Sequence, residues 1–451
     1  MTEQNTERCD DSALEPLLRW TTTHVVTIHG SSAGSVHEID DRGISIGRRA
    51  EAQRADLAFE DPRMSRLHVR IERNGVGWRL EDLGSRNGGF VDGVPFQSAA
   101  AASLDEGSVI RMGNTIMVFR ARPPTKHVDG EREVFPGASP VAAEVRRRLA
   151  LLAAGAGHVL ILGETGTGKE RVARRIGRVT PGRAFIPQNC AEISRDLARS
   201  ELFGHVRGAF SGATTAKEGL VDAARDGVLF LDEVGELPLD VQGDLLRFLE
   251  DGSYRPVGAT ELRSSRARIV AATNVDLEDA VRKGGFRRDL LARLRASNAP
   301  LVLPPLRERR EDILGWARRF LDEGCPADLP PEIWTAGAAE CLVLYPWPEN
   351  LRELRGVMRA LVETLPCWPI DSRQLPERIQ SHRRMLRDGS RGTELPAAAV
   401  EPTREVIERA LAQTEGRVRV ASALLGIDRR KLYRMCEKLG INIDDYRSGG
   451  V

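Results

Sequence analysis

HVLILGETGTGKERVARRIGR, residues 158–178, places an apolar run, a glycine-rich run and a charged run in immediate succession. The apolar run is typical of a buried parallel strand, and the charged run has the composition of a helix. Glycines between a strand and a helix let backbone N–H groups surround an anion at the positive end of the helix dipole. Lys169, at the start of the helix, can then reach the terminal phosphates of a nucleotide. The run therefore predicts a P-loop that binds ATP. Its residues are Gly163, Glu164, Thr165, Gly166, Thr167, Gly168, Lys169 and Glu170.

A second apolar run, VLFL (228–231), ends in two acids, Asp232 and Glu233. A buried parallel strand would deliver both carboxylates to the same edge of the sheet as the P-loop. We expect Asp232 to orient Mg²⁺ and Glu233 to polarise the attacking water. Glu170 occupies the place where the general motif has a Ser or Thr ligand, so the ion would depend on phosphate oxygens, water and Asp232. The alternative, two surface acids on an edge strand, does not suit four consecutive apolar residues.

The composition of the 451-residue chain is that of a soluble protein with several domains. Charged residues make up 29% and hydrophobic residues 41%, and a net charge of +1 gives no general attraction to nucleic acid. The six cysteines form no CxxC pair, which argues against a zinc site or a disulfide framework. No signal pattern is present, and the longest apolar stretch, around 149–163, is too short to span a bilayer. We therefore expect a cytoplasmic protein.

Residues 21–122 alternate between apolar and polar positions with the period of strands, for example in HVVTIHG, HVRIER and SVIRM. Gly, Asn and Asp separate these runs, and Asn74-Gly75 is a strong signal for a two-residue hairpin. The pattern predicts an all-β sandwich, preceded by a disordered tail over 1–20.

Three motifs stand out in this β segment, namely Gly47-Arg48, Ser65-Arg66-Leu67-His68 and Ser85-Arg86-Asn87-Gly88. In this order and spacing they resemble the forkhead-associated (FHA) domain, a phosphothreonine reader, over roughly the whole of 21–122.

A phosphate group requires a fixed guanidinium and hydroxyl donors, and Arg48, Ser65 and Arg66 provide both. The resemblance assigns the phosphate to these three residues and the peptide backbone to Asn87, while His68 would brace the loops. The predicted phosphothreonine site is Arg48, Ser65, Arg66, Arg86 and Asn87. Arg86 departs from the family, which usually has a smaller hydroxyl residue there. The alternative is a sandwich that no longer binds phosphate.

After a predicted linker over 123–134, strand-like and helix-like runs alternate, which indicates an α/β domain with a parallel sheet. Further motifs occur in a fixed order: GAFSGA (208–213), FLDEVGELP (230–238), AATN (271–274), FRRDLLARL (286–294), LPPLRERREDI (303–313) and YPWPENLREL (345–354). With the P-loop, including its Glu170, they resemble the AAA+ domain of bacterial sigma-54-dependent transcription activators, also called enhancer-binding proteins. The predicted domain spans 135–382, with a helical subdomain from about 308.

The resemblance implies roles for four polar residues near the predicted nucleotide. Asn189 would be a polar switch that holds Glu233 while the ATPase is idle. Thr273 and Asn274 would sense the γ-phosphate, and Arg352 would be a second sensor that closes on the nucleotide.

Arg287 and Arg293 would be arginine fingers that reach the ATP of a neighbouring subunit. Fingers in trans require a ring, and the family forms hexamers. Taken singly, each arginine suits a solvated helix face.

Val206 and Glu349 depart from the family pattern. These two departures could alter how ATP hydrolysis is coupled to the action of the domain without removing ATP binding.

The GAFSGA run has one large apolar side chain, Phe210, and one hydroxyl, Ser211, so it is typical of a mobile surface loop. An ordinary flexible loop is the alternative. The resemblance implies that the run touches the sigma-54 factor, and that Ser211 replaces the usual threonine. The predicted contact residues are Gly208, Ala209, Phe210, Ser211, Gly212 and Ala213.

Residues 403–446 follow a polar, proline-containing linker over 383–402 and contain two short amphipathic runs joined by a glycine turn. In the second run Leu432 and Cys436 face inward, and a basic face points outward. The segment resembles the Fis-type helix-turn-helix domain; a helix pair for oligomerisation is the alternative. The predicted DNA-binding residues are Arg429, Arg430, Lys431, Tyr433 and Arg434.

The sequence thus predicts a multidomain chain: an all-β FHA sandwich, an α/β AAA+ P-loop ATPase with a helical subdomain, and an all-α helix-turn-helix. The resemblance implies an activator that uses ATP and Mg²⁺, binds upstream DNA and remodels sigma-54 RNA polymerase as a dimer-to-hexamer assembly near the bacterial nucleoid. A phosphothreonine protein, modified by a Ser/Thr kinase, would regulate it. The alternatives are a regulator that binds nucleotide without hydrolysis, another AAA+ remodelling protein, or a DNA-bound repressor whose ATPase serves assembly.

Overall fold

A computed structural model describes residues 23–51, 55–75, 77–96, 101–121, 131–180, 184–325, 329–364 and 368–387, with nine single residues between 404 and 446. The predicted tail over 1–20 and most of both predicted linkers lie outside these residues. The chain divides into two compact units, of which the first ends at Gln380 and the second begins at Ser381.

The first unit begins with eleven strands arranged as a two-sheet sandwich. They are β1 (Thr23–His29), β2 (Val36–Ile39), β3 (Ile44–Arg48), β4 (Leu57–Phe59), β5 (Val69–Asn74), β6 (Gly77–Asp82), β7 (Gly89–Val91), β8 (Val94–Phe96), β9 (Ala101–Leu104), β10 (Val109–Met112) and β11 (Thr115–Arg120). One sheet has the order β2-β1-β11-β10-β7-β8 and the other β4-β3-β5-β6-β9. Their alternating apolar side chains meet in one core that includes Ile46, Ile71 and Phe119.

The predicted hairpin at Asn74-Gly75 joins β5 and β6, but its turn is displaced by one residue. Asn74 pairs with Gly77, so Asn74 ends the strand and Gly75, with φ +61°, begins the turn. A positive φ favours glycine over asparagine, which explains the displacement.

The second part of the unit is an α/β domain around a five-stranded parallel sheet. Its strands are β12 (Val159–Leu162), β13 (Phe185–Asn189), β14 (Val228–Asp232), β17 (Arg268–Thr273) and β18 (Leu301–Val302), in the order β13-β14-β17-β12-β18. A separate antiparallel pair consists of β15 (Ser253–Tyr254) and β16 (Arg263–Ser264). Helices cover both faces of the large sheet, since Ile161 and Phe230 belong to one buried cluster and Leu160 and Leu229 to the other.

The helices of this domain are α1 (Pro140–Ala154), α2 (Lys169–Val179), α3 (Ala198–Phe203), α4 (Leu220–Ala224), α5 (Leu239–Asp251), α6 (Leu277–Arg282) and α7 (Arg288–Ala296). The helical subdomain follows with α8 (Arg310–Gly324), α9 (Ala336–Leu344), α10 (Asn350–Thr364) and α11 (Glu377–Arg387). Helix α11 extends past residue 383, where the linker was predicted to begin. The run up to Arg387 has neither Gly nor Pro to stop a helix, which explains this correction.

In the second compact unit the described apolar residues form one buried cluster. It contains Ile407, Leu411, Leu432, Cys436 and Ile441. The predicted inward orientation of Leu432 and Cys436 is confirmed. The predicted DNA-binding residues (429–431, 433 and 434) lie outside the described residues. Among the described helices, none has the length and apolar content needed to cross a bilayer.

Candidate functional site

The predicted P-loop lies between the end of β12 and the start of α2, at the carboxyl edge of the sheet. Gly166 has φ +77°, and a Cβ there would lie 2.1 Å from the carbonyl oxygen of Glu349. Gly168, with φ +105°, precedes the first residue of α2. Gly166 is therefore required for its backbone conformation and for the close approach of Glu349, and Gly168 is required for its backbone conformation. The buried Thr167 donates its hydroxyl to the Glu164 carbonyl at 2.8 Å and closes the turn.

Lys169 is buried beneath this loop. Its Nζ donates to the Gly163 carbonyl at 2.9 Å and lies 3.7 Å from Glu233 Oε1. The amine thus stands between the loop that would hold phosphates and the strand that carries the acids. This position, at the N-terminus of α2, is the one in which a lysine meets the terminal phosphates of a nucleotide.

Asp232 ends β14 and Glu233 follows it, at the same edge of the sheet as the P-loop and one strand away from β12. Burial, followed by the neighbouring Glu233 charge, raises the pKa of Asp232 above its usual range. Glu233 has φ +52°, a backbone conformation that is strained for a residue with a side chain. The sheet therefore places two repelling carboxylates beside one lysine, an arrangement that a cation would relieve.

The predicted sensor residues at the end of β17 hold Glu233 in place. The Thr273 hydroxyl lies 3.4 Å from Glu233 Oε2, and the Asn274 backbone N–H donates to the same oxygen at 3.1 Å. The Asn274 side chain also donates to the Thr165 hydroxyl at 3.0 Å. One loop thus connects the predicted water-polarising carboxylate to the P-loop.

Two predicted residues of this site have other partners in the structure. Asn189 donates to Glu192 at 3.3 Å and accepts from the Ala191 N–H, and it is not joined to Glu233. Glu170 is exposed and forms an ion pair with Arg174 one turn along α2, at 2.7 Å. Their assigned roles remain predictions.

Two of the predicted arginines, Arg287 and Arg293, belong to α7 and its N-cap, and the third, Arg352, belongs to α10. Arg287 is half exposed and pairs with Asp289 at 2.7 Å, just before α7. Arg293 donates to the Leu249 carbonyl at 2.8 Å, at the C-terminal end of α5. Arg352 lies in the first turn of α10 against Gly166 of the P-loop, on the surface where a second sensor would stand.

The GAFSGA run forms a compact turn with a hydrogen-bonded base. Gly208 N–H donates to the Ala213 carbonyl at 2.8 Å, and both glycines of the run have positive φ. Phe210 is 38% exposed, and its ring contacts His205 with centroids 5.0 Å apart. His205 is anchored in turn by Ser200 and by the Thr215 carbonyl. The tip therefore presents Phe210 and Ser211 on a fixed base.

A cleft of about 600 Å³ on the sandwich collects the five predicted phosphothreonine residues. Its lining comprises Arg48, Pro62, Arg63, Met64, Ser65, Arg66, Leu67, Leu83, Arg86 and Asn87. Four of these are arginines and none is an acid, so the cleft suits a dianionic phosphate. The Ser65 hydroxyl accepts from the Arg86 N–H at 3.0 Å, and Asn87 donates to the Arg63 carbonyl at 2.8 Å.

His68 holds the two cleft loops together, as expected. Its Nδ1 accepts from the Ser65 N–H at 3.0 Å, and its Nε2 lies 2.9 Å from the Gly88 carbonyl. Only the neutral ring protonated at Nε2 satisfies both contacts. Burial lowers the His68 pKa, which favours this neutral form.

Four family profiles match the chain in succession. The FHA domain matches residues 44–113, the sigma-54 interaction domain 135–299, the AAA+ ATPase lid domain 307–390, and the Fis family of bacterial regulatory proteins 403–439. The DNA-binding transcriptional regulator NtrC of Rhizobium meliloti is 36% identical over 362 residues, which cover 72% of this chain and 74% of that protein.

The chain belongs to the sigma-54-dependent transcriptional activators. The alginate biosynthesis regulator AlgB of Pseudomonas aeruginosa is 48% identical over 228 residues, 49% of each chain. The solved structure of NtrX from Brucella abortus with ATP is 28% identical, covers 67% of this chain and 68% of its own, and has a TM-score of 0.46. This sigma-54 activator is an AAA+ ATPase that binds ATP and carries a Fis-type DNA-binding domain. The predicted fold class and domain order are confirmed.

Two residues that support the P-loop of this sigma-54 activator were missed in the sequence. Arg307 forms an ion pair with Glu164, with one Nη1–Oε2 distance of 2.9 Å, and Asn350 donates to Glu164 at 3.1 Å and to the Thr165 carbonyl at 3.0 Å. The hydrogen bond from Arg307 lowers the Glu164 pKa. Both residues lie in the motifs 303–313 and 345–354, so their motif membership was the available signal.

The predicted sigma-54 contact residues of the activator differ in exposure, and their contact with the factor remains a prediction. Ala213 is 6% exposed, because the base of the GAFSGA turn packs inward. Its methyl group is therefore not available to a partner in this conformation, whereas Phe210 and Ser211 are.

Proposed function

We propose that this protein opens sigma-54 promoters by ATP hydrolysis in a ring, under the control of a phosphothreonine ligand of its FHA domain. The observation that carries the proposal is the convergence of Lys169, Asp232 and Glu233 at one sheet edge, in a domain that also presents the GAFSGA tip. A repressor, or an AAA+ protein with another target, has no need of that tip.

The nucleotide site supports hydrolysis and not binding alone. The P-loop amides and Lys169 would hold the phosphates, and Asp232 would hold Mg²⁺, which supplies charge neutralisation at the phosphate oxygens. Two adjacent carboxylates with a raised Asp232 pKa fit a divalent cation, since the cation removes their mutual repulsion. Glu233, held by Thr273 and Asn274, would polarise the attacking water.

Sensing of the γ-phosphate would proceed through the loop that already binds Glu233. Asn274 contacts the P-loop through Thr165, so a γ-phosphate placed there would compete with these contacts. Arg287 and Arg293 would complete the site of a neighbouring subunit, which makes the ring the active assembly.

The effector end of the domain is the tip formed by Phe210 and Ser211. It lies between the P-loop and β14 in sequence, and its base is hydrogen-bonded at Gly208 and Ala213. The aromatic ring and the hydroxyl would make the contact with the sigma-54 factor, and the serine in place of threonine keeps the hydroxyl and loses a methyl group.

The regulatory input would be a phosphothreonine segment in the arginine-rich cleft of the FHA domain. Arg48, Ser65 and Arg66 would hold the phosphate, and Asn87 the ligand backbone. The upstream signal would then be a Ser/Thr kinase, acting on a partner or on this chain.

Transcription reconstituted with sigma-54 RNA polymerase, ATP and a supercoiled sigma-54 promoter tests the proposal. We expect open complexes only with hydrolysable ATP, and a change in their number when a phosphothreonine peptide is added. The unphosphorylated twin peptide is the matched control. Open complexes without hydrolysis, or equal effects of the two peptides, would contradict the corresponding half of the proposal.

A further inference from the structure

The FHA sandwich lies against the helical subdomain of the AAA+ domain, and three arginine–carboxylate pairs cross between them. Arg120 of β11 pairs with Glu311 of α8 at 2.5 Å. Arg310 of α8 pairs with Asp92 of the sandwich at 2.9 Å. A third pair joins Arg111 of β10 to Glu340 of α9 at 3.2 Å. All of these residues belong to the first compact unit.

The pair at the centre of this interface is withdrawn from water. The side chains of Arg120 and Glu311 are 4% and 1% exposed. Arg120 also donates to the Glu308 carbonyl at 3.2 Å and to Glu106 at 3.1 Å, so the guanidinium is hydrogen-bonded on both sides of the interface. Buried charges tolerate little displacement, because each one loses its partner without regaining water. The two domains are therefore held in one defined arrangement.

Two of the three pairs use one short segment of the subdomain, residues 306–312, which also contacts the nucleotide site. Arg307 pairs with Glu164 of the P-loop, while Arg310 and Glu311, three and four residues later, bind the sandwich. Asp312 accepts hydrogen bonds from Ser139 and Ala138 ahead of α1. A displacement of the sandwich must therefore act on the segment that holds the P-loop.

The sandwich side of the interface is connected to the phosphothreonine cleft. The buried Asp61 carboxylate accepts from the Arg63 N–H at 3.0 Å and from the Asn114 N–H at 2.7 Å. Residues 62–66 form one wall of the cleft, and Asn114 lies in the turn between β10 and β11, the strands that carry Arg111 and Arg120. Asp61 thus fixes the cleft loop to the strands that dock on the subdomain.

A cavity of about 650 Å³ separates this loop from the subdomain. Pro62 and Arg63 line it from the sandwich, and Glu332 and Trp334 line it from the subdomain. The loop has space to move on this side, so a phosphate bound by Ser65 and Arg66 can shift Arg63 without a steric clash. Asn87, which donates to the Arg63 carbonyl, is the residue expected to hold the ligand backbone.

We infer that segment 306–312 couples the phosphothreonine cleft to the ATP site, so that each ligand changes the affinity of the other. The inference rests on the proposed function, since it takes the cleft to bind phosphothreonine. Coupling between two sites is reciprocal, and both affinities must change by the same factor.

Calorimetric titrations of the full chain measure this coupling. The dissociation constant of a non-hydrolysable ATP analogue is determined with and without saturating phosphothreonine peptide, and that of the peptide with and without the analogue. We expect both to change by the same factor, of about fivefold or more. The Arg310→Ala variant should bring that factor close to one while each ligand still binds alone.

The matched control is Arg318→Ala, which removes an exposed arginine from the same helix, α8. It should retain the full coupling factor. Arg310→Lys keeps the charge but replaces the Nη1 that donates to both Asp92 and the Gly107 carbonyl, so an intermediate factor is expected. If Arg310→Ala does not fold, Asp92→Asn removes the charge of the Arg310 partner with a side chain of the same shape.

The possible outcomes separate this inference from the proposed function. Absence of peptide binding to the native chain overturns the phosphothreonine function and the coupling with it. Peptide binding that leaves the ATP affinity unchanged overturns the coupling alone. Full coupling in Arg310→Ala and Asp92→Asn overturns the route through segment 306–312.

Discussion

Glu233 shows how a single residue of the activator depends on its surroundings. Its backbone has φ +52°, and its carboxylate contacts Thr273, the Asn274 N–H and, at 3.7 Å, Lys169. Strained conformations persist where neighbours hold them, and they occur often at functional sites. The carboxylate is thus held beside the phosphate loop by the sensor loop and cannot turn away freely.

Replacement of Glu233 by alanine should separate ATP binding from hydrolysis. We expect the variant to bind ATP with native affinity and to lose about 100-fold or more in turnover, the usual effect of removing a general base. Phosphate release and nucleotide binding are the two measurements. Glu236→Ala, an exposed acid three residues later, is the control and should retain activity. Phosphate release at the native rate by Glu233→Ala would show the assignment to be wrong.

His158, immediately before β12, gives the fold a pH dependence at the residue scale. Burial, followed by the charges of Arg293 and Arg268, lowers its pKa from 6.5 to about 4. Its Nδ1 accepts from the Ile269 N–H at 3.0 Å, which requires the neutral ring. The unfolded chain therefore binds a proton more readily than the folded chain between pH 6.5 and 4.

Stability should fall as the pH decreases from 6.5 to 4, because protonation of His158 then favours the unfolded chain. The contribution of this one group is at most about 3 kcal/mol. Denaturant unfolding at several pH values measures it, and His158→Gln, which cannot ionise, isolates it from the other histidines. The free energy of unfolding of the native chain minus that of the variant should decrease steadily as the pH falls toward 4. A difference that does not change with pH would contradict the explanation.

At the scale of elements, the GAFSGA run is a compact turn that is closed by its own hydrogen bond between Gly208 and Ala213. The Gly208–Ala213 hydrogen bond, the buried Ala213 and the contact of Phe210 with His205 give it a defined shape. Gly208 and Gly212 adopt the positive φ values that close the turn, so their role is to allow this backbone conformation. Only the tip residues remain available for recognition.

Ser211→Ala should therefore impair promoter opening and leave ATP hydrolysis intact. We expect open-complex formation to fall about tenfold or more, in keeping with the loss of one well-placed hydrogen bond. ATP turnover and open-complex formation are measured on the same preparation. Thr214→Ala, which removes an exposed hydroxyl three residues later, should change neither. Loss of ATP turnover in Ser211→Ala would indicate a role in the nucleotide site instead.

For the whole molecule, the proposed role of Arg287 and Arg293 as arginine fingers would give an active site that one chain cannot complete. In the single chain Arg287 pairs with Asp289, and Arg293 donates to the end of α5, so neither contacts Lys169, Asp232 or Glu233. Their predicted role is to contact the ATP of a neighbouring subunit. Activity should then depend on assembly.

Two inactive variants should restore each other's activity when they are mixed. Lys169→Ala cannot bind nucleotide but keeps its finger, whereas Arg287→Ala binds nucleotide but lacks the finger. In a mixed ring the first supplies Arg287 to the second, and ATP turnover should rise well above the sum of the separate variants. Arg288→Ala, with an exposed arginine next in sequence, should be active alone. Mixtures no more active than their components would argue against fingers in trans.

The order of motifs in the sequence was sufficient to predict the domain order, the P-loop, the acidic end of the strand and the arginine-rich cleft. Each depends on local chemistry: a buried apolar run of strand length, glycines where φ must be positive, and residue types that bind phosphate. The inward positions of Leu432 and Cys436 follow from helical spacing in the same way. The local pattern misplaced the turn at Asn74-Gly75 and the end of α11, and it gave no sign that Ala213 is buried, because neighbouring packing decides these.

The sequence by itself determined the fold class and predicted which side chains would act in catalysis and phosphate binding, since these follow from residue type and spacing. Only the tertiary structure decided that Arg307 and Asn350 hold the P-loop, that Asn274 links it to Glu233, and that Arg120 and Arg310 dock the sandwich on α8. The physical reason is separation along the chain. Arg120 and Glu311 are 191 positions apart, and no local propensity brings two charges together over that distance without the packing of complete domains.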